Sequence, residues 1–241
     1  PLKNTTDLLL FDDKTRLFTS NDPRNTTTHD SMFTTNRSFT TEFNFQIRFK
    51  QKYYTLPHKK VISGSKYPRL NIGYKRAFPI LGTTADYDLL SASLTDDIRL
   101  GLFGRFSYRL RGGGFLETNK LYFMDFRYFL GNQTIFNTND YLSSFRLLPY
   151  YVFSADKWFA EAHAEHHFHG FIINKIPLVK KLRVEEVVSA HVLSSNKLDY
   201  YYELTFGLEK IFKVIRVDYV LGYSPDNTLK TGFTFGLNMN F

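Results

Sequence analysis

The stretch TGFTFGLNMNF, residues 231–241, decides the fold class. Apolar side chains alternate in it with small and amide side chains, and the apolar set is Phe233, Phe235, Leu237, Met239 and Phe241. Successive side chains of a β-strand point to opposite faces, so this stretch predicts a strand with one apolar and one polar face. A soluble domain has little reason to finish on an exposed Phe. We therefore expect the apolar face of this strand to contact lipid.

The composition also favours a lipid-facing sheet. The 241 residues include 25 Phe and 16 Tyr, yet the mean hydropathy is -0.29. No stretch approaches the roughly 20 consecutive apolar residues that a helical span requires. In a transmembrane barrel, lipid-facing and lumen-facing residues alternate, which lowers the average hydropathy. Soluble β-sandwiches alternate as well, so a secreted β-domain with an adhesive function stays an alternative.

Charge and cysteine content exclude several functional classes. The sequence contains no Cys, which removes disulfides, thiolate catalysis and Cys-based zinc sites. Its formal net charge is +8, but the basic residues alternate with apolar ones, and we expect no clustered basic patch. The sequence therefore predicts no nucleic-acid partner.

Two regions are expected. Residues 1–38 are rich in Asn, Thr and Asp and predict a loop or a poorly ordered lead-in. Residues 39–241 predict an all-β, antiparallel transmembrane β-barrel of about ten or eleven strands. Single-chain bacterial barrels have even strand numbers, so this count suits the C-terminal portion of a longer barrel as well as a small complete one.

Three local predictions concern the middle of the chain. Residues 98–111 alternate throughout and predict one long strand that Gly112 to Gly114 would end. Residues 144–153 and 158–169 predict two antiparallel strands joined by a hairpin turn at 154–157. Residues 170–182 predict a short amphipathic element at a membrane surface, with its lysines reaching towards lipid phosphates.

The terminal strand resembles the β-signal of bacterial outer-membrane proteins, which the barrel-assembly machinery recognises. Further motifs are YFMD at 122–125, GNQT at 131–134, FRLLPYY at 145–151, EAHAEHHFHGF at 161–171 and NKIPL at 174–178. Over residues 103–241 the chain resembles the C-terminal barrel of an uncharacterised outer-membrane family that carries an N-terminal carboxypeptidase-regulatory-like domain. It is also distantly similar to the BamA-type outer-membrane superfamily, whose assembly activity is not carried over.

These resemblances imply a location and a set of partners. We expect the protein in the bacterial outer membrane, in contact with outer-membrane lipid and lipopolysaccharide. The barrel-assembly machinery would bind it during insertion, and other outer-membrane proteins would be its partners. The predicted role is transport, assembly or scaffolding within a larger complex.

Residues 161–169 carry the strongest candidate for chemistry. Glu161, His163, Glu165, His167 and His169 alternate onto one face of the predicted strand. Imidazole and carboxylate groups are metal ligands, so a barrel enzyme or metal-dependent factor is the alternative function. A pH-sensitive gate and a wet lumen wall of paired acids and histidines are the other interpretations. No arrangement of Ser, His and Asp indicates catalysis, so we predict no enzyme, no catalytic residue and no cofactor.

Four arginines form a second candidate site. Arg99, Arg105, Arg109 and Arg111 fall on one face of the predicted strand 98–111 and would line the lumen as a basic stripe. Such a stripe favours anions in a channel. Alternatively, the arginines pair with acids on neighbouring strands, for which Glu161, Glu165, Glu203 and Glu209 are available.

Overall fold

The structure is a computed structural model that describes residues 3–5, 18–20, 37–132, 134–137, 140–148, 153–170, 173–175, 184–224 and 229–237. These residues form an all-β protein. In chain order the strands are β1 Lys3–Thr5, β2 Phe18–Ser20, β3 Phe39–Arg48, β4 Gln51–Leu56, β5 Lys59–Ser65, β6 Arg69–Phe78, β7 Asp86–Arg99, β8 Arg105–Lys120, β9 Arg127–Tyr128, β10 Phe136–Asn137, β11 Ser154–Ala155, β12 Trp158–His167, β13 Glu185–Ser195, β14 Leu198–Ile211, β15 Ile215–Tyr223 and β16 Leu229–Leu237. Among these residues, no helix is both long and apolar enough to cross a membrane.

One large sheet dominates the fold. It has ten strands in the order β10-β16-β15-β14-β13-β12-β8-β7-β6-β3, and it is not closed. All neighbours are antiparallel except β10, which adds two residues parallel to β16. Three two-stranded pairs, β1-β2, β4-β5 and β9-β11, lie outside it. The predicted all-β, antiparallel fold is thereby confirmed.

The two faces of the large sheet are the reverse of those in a soluble sandwich. On β14, Glu203 and Thr205 are both 0% exposed, whereas Leu204 and Phe206 are 45% and 52% exposed. The register carries this alternation across the sheet, because paired residues share a face. The apolar face includes Phe43, Phe45, Leu70, Ile72, Leu94, Leu110, Val192, Leu204, Phe206, Tyr219, Phe233 and Phe235. The opposite, polar face is buried along β12 to β16.

The prediction of one strand over residues 98–111 is wrong. β7 ends at Arg99, a 3-10 turn occupies Gly101–Phe103, and β8 returns antiparallel from Arg105. Gly104 has a φ of 96°, and a Cβ there would lie 1.8 Å from the carbonyl oxygen of His167. Only glycine fits this position, which accounts for the turn.

Gly112 to Gly114 do not end the strand either. β8 continues through them to Lys120, pairing with β7 on one side and β12 on the other. A Cβ on Gly113 would lie 2.6 Å from the Leu90 carbonyl oxygen and 2.9 Å from the Phe159 ring. Gly113 is therefore a site of close packing within a strand.

Residues 121–157, here called the inner segment, join β8 to β12. The predicted strand at 144–153 is wrong for 144–148, which are irregular, and 149–152 lie outside the described residues. The predicted hairpin turn at 154–157 is also wrong at its start, because β11 pairs with β9. Buried side chains of this segment, among them Phe145 and Arg146, lie over the polar face of the sheet. Part of its backbone bonds to backbone, as in Phe145 N–H to Leu130 and Asn132 N–H to Leu148, and the N–H groups of Arg146 and Leu147 donate to a side chain of the sheet.

Several predictions fall mainly outside the described residues. Of the predicted lead-in 1–38, the structure describes the paired strands β1 and β2 and residues 37–38. Of the predicted element 170–182, it describes residue 170 and the 3-10 turn Ile173–Lys175. Met239 and Phe241 of the terminal strand are also outside it. Phe233, Phe235 and Leu237 are exposed on the apolar face.

Candidate functional site

The candidate site is a network of charged and imidazole side chains on the polar face of the sheet. The register aligns them in rows across the strands: Arg111 with Glu161, and Arg109 with His163, His191 and Glu203. The polar network comprises Glu161, His163, Glu165, His191, Glu203, Arg216 and Asp218 from the sheet and Arg146 from the inner segment. All eight side chains are buried. Buried charges are tolerated when they are paired and hydrogen-bonded. Arg216 meets two carboxylates, and Arg146 donates to the carbonyl oxygens of Ser144 and Tyr141. Among the described residues, Nε of Arg146 and Nη2 of Arg216 have no hydrogen-bond partner.

Glu203 anchors the inner segment to the sheet. Its two carboxylate oxygens accept the backbone N–H groups of Arg146 and Leu147, at 2.6 and 2.8 Å. The Tyr201 hydroxyl donates a third hydrogen bond at 2.6 Å. Because the irregular backbone at 146–147 makes no strand ladder, this carboxylate supplies the acceptors that its buried N–H groups need.

Arg216 links two strands, β15 and β12, to the inner segment. Its Nε donates to both oxygens of Asp218, at 2.9 and 3.0 Å, and its Nη1 donates to Glu165 on β12. The Tyr141 ring lies 3.9 Å from the Arg216 guanidinium carbon. The guanidinium carbon of Arg146 lies 4.5 Å from the same ring. Tyr141 thus contacts two cations, an arrangement that cation–π attraction stabilises.

Gly207 provides the space for this ion pair. A Cβ at this position would lie 2.1 Å from Oδ1 of Asp218 and 3.6 Å from Nε of Arg216. A larger residue would therefore displace the carboxylate from the guanidinium.

Two histidines, His163 and His191, are paired side by side on the polar face. Nδ1 of His163 and Nδ1 of His191 are 2.8 Å apart, so one nitrogen carries the proton that the other accepts. The Phe145 ring covers the pair, with its centroid 4.9 Å from that of His163 and 6.1 Å from that of His191. Nε2 of His163 lies 3.5 Å from Glu161.

Glu161 forms salt bridges with two arginines. Arg111 on β8 and Arg127 on the inner segment each lie 3.2 Å from its Oε1. Arg127 also packs over the Phe159 ring, at 5.3 Å from its centroid. The Glu161 carboxylate is therefore the second anchor of the inner segment. It is buried, and the two arginines that contact it are partly exposed.

Burial changes the acidity of two groups on the inner segment. Burial, reinforced by the nearby Arg216 charge, lowers the pKa of the Arg146 guanidinium below its ordinary value. Burial raises the pKa of the Tyr141 hydroxyl. Both effects follow from the burial of these side chains between the inner segment and the sheet.

The predicted residues of 161–169 are only partly brought together. Glu161, His163, Glu165 and His167 lie buried on the polar face of β12. His169 lies beyond the end of β12, exposed and with a φ of 52°. His167 donates to or accepts from Glu209 across the sheet, with Nδ1 2.7 Å from Oε1.

The four predicted arginines lie on two strands. Arg99 ends β7 and is exposed, directly opposite Arg105 at the start of β8. Arg111 forms a salt bridge with Glu161, as expected if the arginines pair with acids on neighbouring strands. Arg109 reaches Asp140 of the inner segment at 3.4 Å, a partner that the sequence did not indicate.

The network is arranged for charge pairing more than for ligand binding. Within the described ranges, no group of three or more His, Cys, Asp or Glu side chains is placed to hold a metal ion. Each carboxylate of Glu161, Glu165 and Glu203 already faces a cation or backbone donors. Such an arrangement can fix the inner segment on the sheet.

Sequence reasoning missed the centre of the network. It named Glu203 only as a possible partner of the arginine stripe, and it did not single out His191, Arg216 or Asp218. The available signal was the alternation of polar side chains in otherwise apolar strands: Ser189 and His191 in β13, Glu203 and Thr205 in β14, Arg216 and Asp218 in β15.

Comparison with known proteins identifies a family. No curated protein and no solved structure matches the chain. Residues 1–208 match the C-terminal domain of a family described as of unknown function, DUF5686. This confirms the predicted resemblance to an uncharacterised family, and it begins well before the predicted region 103–241. The N-terminal carboxypeptidase-regulatory-like domain and the BamA-type similarity stay predictions. With most of its length inside this match, the chain belongs to the DUF5686 family.

Proposed function

We propose that this chain forms the transmembrane β-barrel part of a bacterial outer-membrane protein with a transport, assembly or scaffolding role in a larger complex. The supporting observation is the reversed sheet, which buries Glu203, Arg216 and Asp218 and exposes Leu204 and Phe206. In water, an exposed apolar band across a whole sheet would drive aggregation. Against lipid, the same band is the favourable surface.

The width of the apolar band agrees with a bilayer. On β14 the outward side chains from Tyr200 to Leu208 are tyrosines, leucines and a phenylalanine, and Lys210 follows. A tilted strand uses about 9–11 residues to cross a membrane. Tyr200, Tyr202 and Tyr223 stack at one end of the band, at centroid distances of 5.0 to 6.2 Å. Tyr at the end of an apolar band is typical of the membrane–water interface.

The inner segment makes a scaffold or a gated transporter a better fit than an open pore. It is tied to the polar face by Glu203, by Glu161 and by the Arg109–Asp140 pair. In a barrel the polar face lines the lumen, and a segment bound there obstructs it. We therefore propose a lumen that is closed at rest.

Membrane insertion is the first test. The chain, expressed with an export signal, should appear in the outer-membrane fraction and need detergent for extraction. On gels it should migrate differently before and after boiling, as folded barrels do. Recovery as a monomer in buffer without detergent would refute the proposal and favour the secreted soluble β-domain.

Conductance across planar bilayers tests the closed lumen. The unmodified protein should give no steady current, and Glu203→Gln should give frequent openings because the inner segment loses its anchor. Glu117→Gln, at an exposed carboxylate on β8, is the matched control and should stay closed. A steady current from the unmodified protein would contradict the closed lumen.

A further inference from the structure

The β4–β5 hairpin concentrates the positive charge of the chain. Residues 48–69 contain seven Lys and Arg and no Asp or Glu. Three of them, Lys52, Lys59 and Lys60, lie in the hairpin itself, and the other four flank its base, in a chain whose formal net charge is +8. The sequence interpretation expected the basic residues not to cluster. The hairpin is the place where they do.

The hairpin is an extension of the sheet with no core of its own. β3 and β6 stop pairing at Arg48 and Arg69, and β4 and β5 continue as a separate two-stranded ribbon. Six residues of β4, at roughly 3.3 Å each, carry it about 20 Å further. All six are exposed. A lone two-stranded hairpin is marginally stable in water, so this one needs a surface to lie against.

Aromatic and basic side chains are interleaved along the hairpin. Tyr53 is 59% exposed, Tyr54 53% and Ile62 54%. The Lys60 ammonium lies 5.1 Å from the centre of the Tyr53 ring, and those of Lys50 and Lys66 lie 5.7 and 5.9 Å from the Tyr67 ring. Tyrosines with lysines beside them combine an apolar body with charged tips, which suits the boundary between lipid and water.

We propose that the β4–β5 hairpin binds the phosphorylated headgroups of anionic lipids at the membrane surface. The lysines pair with headgroup phosphates, and Tyr53 and Ile62, which are paired across the hairpin and share one of its faces, lie among the outer parts of the acyl chains. The inference rests on the proposed membrane location, because the hairpin begins where the apolar band of β3 and β6 ends, at Ile47 and Leu70.

Charge and apolar exposure together favour lipid over an acidic protein. A free anion or an acidic polypeptide without apolar side chains would contact the lysines and leave Tyr53 and Ile62 in water. An anionic membrane surface attracts each nearby lysine and accommodates the aromatic rings as well. The attraction is electrostatic, so it should weaken as salt is raised.

The absence of Cys from the sequence allows a clean probe. Thr55→Cys in the full chain, labelled with an environment-sensitive fluorophore, reports on the hairpin alone. The labelled protein in neutral detergent micelles is titrated with phosphatidylglycerol, with phosphatidylcholine, with inorganic phosphate and with polyglutamate. Two triple variants are compared on this background. Lys52→Glu, Lys59→Glu and Lys60→Glu change the hairpin, whereas Lys120→Glu, Lys157→Glu and Lys230→Glu make the same charge change at exposed positions elsewhere.

Phosphatidylglycerol should shift the emission, and phosphatidylcholine and inorganic phosphate should not. Three lysines near an anionic surface contribute about a hundredfold in affinity, so the hairpin variant should bind at least that much more weakly. The control variant should bind within about threefold of the parent, because its charges lie more than a Debye length away. An equal response to polyglutamate, to inorganic phosphate or to phosphatidylcholine would overturn the lipid assignment, as would equal losses in the two variants.

Insertion is measured on the same samples by migration before and after boiling. A barrel that inserts but shows no response to phosphatidylglycerol would overturn this inference and leave the proposed function standing. A chain that stays soluble without detergent would overturn the proposed function, whatever the fluorophore reports.

Discussion

Glu203 shows how a single buried carboxylate can organise an irregular segment. It is 0% exposed and accepts three hydrogen bonds, two of them from consecutive backbone N–H groups at 146 and 147. A carboxylate is suited to this role because it only accepts and has two oxygens to offer. The same carboxyl group lies next to the buried Arg146, whose backbone N–H it accepts.

Glu203→Gln should loosen the inner segment while leaving the sheet intact. The amide presents an NH₂ group towards one backbone donor, and a buried unsatisfied N–H costs about 1–3 kcal/mol. The amide hydrogens of 145–148 should then exchange with solvent about ten- to a hundredfold faster in hydrogen-exchange mass spectrometry. Tyr201→Phe is the control, because it removes the hydroxyl donor and keeps both backbone bonds. Equal acceleration in the two variants would show that Glu203 is not the anchor.

Arg216 should be the most sensitive single residue of the polar network. Arg216→Met removes the cation between Glu165 and Asp218 and leaves two buried carboxylates facing each other. Breaking a buried pair in this way costs about 3–5 kcal/mol. Arg216→Lys keeps the charge but loses the planar fork, so it should cost less. Urea midpoints of the folded protein in detergent measure both, and the triple change Arg216→Met with Glu165→Gln and Asp218→Asn should recover part of the loss.

An unchanged midpoint for Arg216→Met would mean that the two carboxylates do not depend on it.

Of the three charged residues Glu165, Arg216 and Asp218, the sequence indicated only Glu165. Parity along a strand predicts which side chains share a face, and Glu161, His163 and Glu165 were predicted on that basis. It does not predict that Arg216 reaches across β14 and β13 to Glu165, because that contact depends on the register of four strands.

At the scale of one element, β8 shows where sequence patterns mislead. Ile98, Leu100 and Leu102 fall at every second position, in step with Phe106, so the sequence alternates without interruption. The backbone nevertheless turns at 101–103. The glycines at 101 and 104 were the better signal, since both adopt positive φ. Gly112 to Gly114 predicted a break because glycine weakens strands, but the strand continues, and close neighbours on β7 and β12 require glycine at 113.

Gly113→Ala and Gly112→Ala should differ sharply. The Cβ at 113 would meet the Leu90 carbonyl at 2.6 Å and the Phe159 ring at 2.9 Å, whereas the Cβ at 112 meets nothing closer than 3.6 Å. Overpacking of this kind costs about 1–3 kcal/mol, and Gly112→Ala should be near neutral. Thermal midpoints in detergent give the comparison. If the two midpoints match, then β7 and β12 do not pack on β8 as closely as the structure indicates.

At the scale of the whole molecule, the large sheet buries charged side chains on one face, together with an apolar cluster around Phe145, and exposes apolar side chains on the other face. The sequence predicted this reversal, because its strands alternate apolar with polar side chains and its many Phe and Tyr rings need a large apolar surface. It did not predict that 144–148 would cover the polar face. The pattern of 144–153 resembles a strand, but the opposing Glu203 and the rings of His163 and Tyr201 stabilise an irregular path at 145–147.

The same reversal gives a test that separates lipid from water. Leu204 lies in the middle of the outward run on β14 and is 45% exposed, while Phe212, in the next turn, is 78% exposed. In a soluble protein, Arg at either exposed position would change stability by only about 0.5 kcal/mol. In a bilayer, Arg near the midplane costs about 2–4 kcal/mol and Arg near the interface about 0–1 kcal/mol. Unfolding by urea from phosphatidylcholine vesicles should therefore be far easier for Leu204→Arg than for Phe212→Arg. Matching curves for the two variants would mean that the apolar face meets water or another protein, and the membrane proposal would fail.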